Sequence, residues 1–131
     1  YVQWLEEQDH ARILMNYLNS RDAKVTLKPI EAVQTEWGTI LEMFNKTLEH
    51  EKVVTSLINN LAAIAAEDRD FASSNMLVWF INEQVEEEES AREMIFAVES
   101  VEGNKYGMYQ LDKELATRAY TQASPLTKGA E

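Results

Sequence analysis

Glu83-Gln84-Val85-Glu86-Glu87-Glu88-Glu89 places five carboxylates in seven residues inside an otherwise apolar helical pattern. Such a run is ordinarily a solvated face, but a helix cannot point all five outward within two turns. The apolar line through the segment is Leu77, Phe80/Ile81, Gln84, Glu87/Glu88, Ala91, Met94/Ile95 and Val98, at steps of three and four. Glu87 or Glu88 therefore turns inward, with Gln84 one turn below. A carboxylate in a core costs several kcal/mol unless something pairs with it.

Two other places repeat the interruption. A helix expected over residues 36–67 carries the line Ile40, Phe44, Leu48, Glu51, Thr55, Ile58, Leu61/Ala62, Ala65, broken by Glu51. A first helix expected over residues 1–20 carries Trp4, Glu7, His10/Ala11, Leu14 and Tyr17/Leu18, broken by the Glu-x-x-His step Glu7-Gln8-Asp9-His10. Only Glu67-Asp68-Arg69-Asp70 separates the second pattern from the third, over 71–101, so those helices are antiparallel neighbours. Folding the chain about residue 69 sets Glu51 opposite Glu87, with Gln84 a turn away. Because each acid is located by its own stripe, the agreement in height is independent support for a shared site.

The first and second helices are joined by residues 22–36, which lack helical period; Pro29 disfavours helix at the residue before it. Extended, this segment is long enough to run the length of the bundle and leave those helices parallel. Thr35 is the expected cap of the second helix. After a loop at 103–107, a short fourth helix is expected over 108–120. The reading is one domain, residues 1–120, with a polar tail, 121–131.

Composition bounds the rest. The 131 residues are 45% hydrophobic, with two prolines and four glycines, an all-α signature. There is no cysteine, which removes disulfide, zinc-thiolate and iron–sulfur chemistry and fits a cytoplasmic setting. No apolar run suits a membrane span. A net charge of −11 argues against nucleic acid as partner and permits cations as cargo. Hard oxygen donors with one imidazole suit iron or manganese, with zinc a competitor, and carboxylates with Glu-x-x-His in a helical bundle form a dinuclear-type donor set. Taken singly, each motif also fits a solvated face or a satisfied histidine, so a purely structural bundle stays open at this point.

The segments Glu6-Glu7-Gln8-Asp9-His10-Ala11, Thr35-Glu36-Trp37-Gly38, Leu48-Glu49-His50-Glu51, Trp79-Phe80 with Glu83-Gln84-Val85-Glu86-Glu87-Glu88, and Tyr109-Gln110-Leu111-Asp112-Lys113-Glu114-Leu115 together resemble the bacterial-type non-haem ferritins. The resemblance implies a ferritin-like bundle, three long helices plus a short C-terminal one, with the family's first helix missing. It implies iron storage, with Fe(II) oxidised by O2 or peroxide at a dinuclear centre. In that scheme Glu7 bridges two irons, His10 binds the first, and Glu51 and Glu87 bind the second beside Gln84. Glu6, Glu83 and Glu86 resemble a third, inner-surface iron site leading to the mineral. The family assembles as a 24-subunit shell, whose last helix would place Leu111 and Leu115 along a channel.

The departures carry expectations too. The family's Glu-bearing first helix has no counterpart, so the ferroxidase reading is conditional on it; the alternative is a non-catalytic storage or assembly subunit. An incomplete bundle would leave an apolar strip for another chain to cover. Gln84-x-x-Glu87 stands where bacterioferritins carry a second Glu-x-x-His. Gln8 stands where haem-binding relatives carry Met, so no haem is expected.

Overall fold

A computed structural model describes residues 1–121, and these form four helices: α1 (Val2–Ser20), α2 (Ile40–Glu67), α3 (Phe71–Ser100) and α4 (Lys105–Leu115). Residues 122–131, most of the expected polar tail, lie outside the described residues. Three long helices and one short one match the architecture expected from the sequence. The expectation that a first helix is missing is corrected to this extent: the structure opens with a well-formed helix and counts four among the described residues. Tyr1 stands at its N-cap with no side-chain hydrogen bond.

The described chain divides into two compact units, one of residues 1–33 with residues 112–121, the other Gln34–Leu111. The second is dominated by the α2–α3 hairpin. Thr39, not Thr35, caps α2: its hydroxyl accepts from Glu42 N–H at 3.0 Å while Thr39 N–H donates to the Glu42 carboxylate at 2.9 Å. This is a reciprocal capping box, and Thr39-x-x-Glu42 announces it in the sequence. The hairpin turns at Asp68–Asp70. Asp70 N–H reaches Ala65 O at 2.9 Å and Arg69 N–H reaches Ala66 O at 3.1 Å, a Schellman closure with Arg69 in the left-handed region at φ 55°. The same Asp70 then caps α3, its carboxylate accepting from Ser73 N–H at 3.1 Å.

The buried positions of α3 are Leu77, Phe80, Gln84, Ala91 and Val98, the expected stripe; those of α2 are Glu51, Ile58 and Ala65. Val53, Leu57, Leu61 and Ile64, on another side of α2, are exposed. α4 starts earlier than expected, where the Asn104 side-chain oxygen accepts from Gly107 N–H at 3.0 Å, and it stops sooner, at Leu115.

In the first unit the expected inward line of α1 is shifted. Asp9 and Ile13 are buried, whereas Trp4 is 57% exposed and Leu18 is exposed as well. Among the described residues, no helix is long and apolar enough to cross a membrane.

Candidate metal centre

Residues facing each other across the α2–α3 hairpin hold one set of candidate donors. Glu51 is 7% exposed and Gln84 is 6% exposed. The Gln84 amide nitrogen donates to the main-chain oxygen of Glu51 at 3.2 Å, to the Glu51 carboxylate at 3.4 Å and to the Thr55 hydroxyl at 3.3 Å. The Thr55 hydroxyl is also 2.9 Å from Glu51 O and 2.8 Å from the Glu88 carboxylate, both acceptors only. Arg92 closes the chain, donating to Glu88 at 3.0 Å. The Thr55 hydroxyl, and after it Arg92, holds the Glu88 carboxyl below the usual carboxylate range. Glu88 is thus tied to Thr55 and Arg92, while Glu87 and Glu83 are half-buried and Glu86 is exposed.

Among the described residues the Glu51 carboxylate has no ion-pair partner; its polar neighbour is an amide at the long end of hydrogen-bonding distance. A buried carboxylate so weakly satisfied is costly by itself and well suited to a cation. The donor chemistry fits iron: a hard carboxylate and a carboxamide, with a further half-buried carboxylate, Glu87, one turn along α3 from Gln84.

The first unit holds the other expected donors. Glu7 and His10 face each other one helical turn apart, with His10 Nδ1 3.3 Å from the Glu7 carboxylate, their side chains 15% and 53% exposed for His10 and Glu7. Gln3 donates to the other Glu7 oxygen at 3.3 Å. Glu7 is therefore more open than the sequence pattern implied, and the buried acid of α1 is Asp9. The Tyr120 hydroxyl donates to Asp9, and Arg12 pairs with it at 3.1 Å. Glu6, expected at an inner iron site, is paired with Arg118 at 2.8 Å, and Arg118 also donates to Gln3 at 3.3 Å. Among the described residues, no three His, Cys, Asp or Glu side chains are gathered into a ready-made cage.

Sequence reasoning missed Asp9, Arg118 and Tyr120. Nothing in the local pattern announces a contact between residues more than a hundred positions apart. Thr55 lay on the expected stripe, but its role as a hydrogen-bond node is visible only in three dimensions.

Known proteins agree with this architecture. A ferritin-like domain model matches residues 1–100. The bacterial non-heme ferritin of Staphylococcus aureus (strain MRSA252) is 34% identical over 117 residues, spanning 89% of this chain and 70% of that protein. Its counterpart from Staphylococcus haemolyticus (strain JCSC1435) is 36% identical over 123 residues, spanning 93% and 74%. Among solved structures, a humanized archaeal ferritin superposes with a TM-score of 0.90 at 37% identity, covering 92% of this chain and 73% of that one. An open pore ferritin from the hyperthermophilic archaeon Archaeoglobus fulgidus gives 0.88 at 37% identity, covering 90% and 73%. On the matched bundle, its length and this level of identity, the chain belongs to the ferritin family, with the bacterial non-haem ferritins among its relatives.

Proposed function

We propose that the protein stores iron and oxidises Fe(II) on its way to the mineral, as a single ferritin-like domain working in the cytoplasm within a homo-oligomeric shell. The observation that supports this most is the Glu51 carboxylate, buried and without an ionic partner among the described residues. Iron is the substrate. Glu51 and Glu87 supply anionic oxygen, Gln84 a carboxamide, and Glu7 and His10 a carboxylate and an imidazole. With His10 Nδ1 turned toward Glu7, Nε2 is the nitrogen that would meet a cation. Anionic donors bind Fe(III) more tightly than Fe(II), which lowers the barrier to losing an electron to O2 or peroxide. Glu6, Glu83 and Glu86 are assigned to onward transfer.

Aerobic addition of Fe(II) to the purified protein should give rapid oxidation, slowed roughly 10-fold or more by Glu51→Ala and by Glu87→Ala. Unchanged rates in both variants would overturn the assignment.

A second reading, a storage subunit without a working oxidation centre, is favoured by the exposure of Glu7 and the absence of a gathered cage among the described residues. Anaerobic titration with Fe(II) separates the two: tight stoichiometric binding that Glu51→Ala weakens supports the oxidase, and its absence supports the passive subunit.

A further inference from the structure

We propose that Thr55 is a positioning residue of this centre, fixing which end of the Gln84 carboxamide is offered to metal. The inference rests on the reading that Glu51 and Gln84 bind iron. Thr55 Oγ1 lies 2.9 Å from a main-chain oxygen and 2.8 Å from the Glu88 carboxylate, and neither can donate. The single hydroxyl proton is therefore committed to those two oxygens. Whatever approaches Oγ1 from Gln84, at 3.3 Å, must bring its own proton, so it is the amide nitrogen.

The surroundings reinforce the same choice. The other atoms near that end of Gln84 are the main-chain oxygen of Glu51 at 3.2 Å and its carboxylate at 3.4 Å. A carbonyl oxygen turned to this side would meet three oxygens and no proton. The amide is thus oriented with nitrogen toward α2 and oxygen toward its opposite end. That sense matters chemically, because a neutral carboxamide binds hard cations through oxygen and not through its nitrogen. The Glu51 carboxylate cannot be relied on to hold the amide once a cation claims it. The Thr55 hydroxyl can, since it is anchored through Glu88 to Arg92, at 3.0 Å, on the same hairpin.

The test uses Co(II) alone as a spectroscopic probe, followed by aerobic Fe(II) oxidation, on the full chain. Thr55→Val keeps the shape and removes the hydroxyl. It should shift the visible d–d bands of bound Co(II), weaken Co(II) binding and lower the initial oxidation rate by about 10-fold, the scale seen when a ligand's orienting partner is removed. Thr55→Ser, which restores the hydroxyl, should return bands and rate to those of the parent. Glu88→Ala frees the Thr55 proton to meet either end of the amide and should give a smaller change in the same direction. A merely structural threonine would lower the melting temperature while leaving the Co(II) bands in place. Bands and rate identical to the parent in both Thr55→Val and Glu88→Ala would overturn the inference, with Glu51→Ala as the reference for the site itself. If Glu51→Ala also left Co(II) binding and oxidation intact, the iron assignment would fall with it.

Discussion

Arg69 holds a conformation that its side chain opposes. At φ 55° it occupies the left-handed position that closes α2, and Asp22 does the same at the end of α1, also at φ 55°. An L-residue there is strained by about 1 kcal/mol relative to glycine, against which glycine's greater freedom in the unfolded chain counts. Arg69 is exposed. Arg69→Gly is therefore expected to raise stability by a few tenths to about 1 kcal/mol, read as a higher urea midpoint with unchanged slope. A lower midpoint would show that the arginine side chain contributes more than its backbone conformation costs. At this same scale the sequence was most informative where pattern and chemistry coincided. Glu51 and Gln84 were legible because each breaks an apolar stripe and a short turn brings them within one helical turn of each other; that Gln84, and not Glu87, reaches Glu51 is seen only in the structure. Glu7 was less so: α1 mixes apolar and polar residues nearly all round, so a one-position rotation of its face, burying Asp9 and Ile13 beside the expected His10 and Leu14, leaves little trace in the periodicity.

Elements were legible in proportion to their capping signals. The ends of α2 and α3 at the hairpin fell where Glu67-Asp68-Arg69-Asp70 put them. The start of α2 fell at Thr39, because only Thr39 has a glutamate three residues on; Thr35 has Gly38 there. The segment after α4 was illegible, since its placement depends on partners on α1. Arg118 and Tyr120 hold it there through Glu6 and Asp9. The Asp9 hydrogen bond, followed by desolvation, pushes the Tyr120 phenol above its ordinary value. A raised phenol favours the protonated form in the folded state. Its contribution to docking the segment is complete below about pH 10, the unperturbed phenol value, and is lost as pH climbs through the folded value. A titration followed in the phenolate absorbance band should show one late tyrosine that disappears in Tyr120→Phe. Unaltered curves in that variant would mean that the contact is not kept in solution.

For the whole molecule, the exposed row Val53, Leu57, Leu61 and Ile64 on α2 is a feature that a solitary 15.0 kDa chain accommodates poorly. Together with the shell proposed above, it leads to the expectation of a sedimenting species much heavier than one chain, and of dissociation by Leu57→Glu. A clean monomer at micromolar concentration would contradict the assembly. The net charge of −11 is in keeping with cation traffic, and its repulsion between copies should make association stronger as salt rises.

The corner at Asp68–Asp70 finishes one helix and begins the next with the same aspartate. Every bond in it spans only a handful of residues, so it can close on the fast timescale of local chain motions, well before distant segments meet. Once shut, it dictates how the two longest rods zip together. Glu51 and Gln84 then meet as a by-product of bending the chain at a point about four to five helical turns away, and lengthening that corner by one residue would misalign the pair without touching any atom of either.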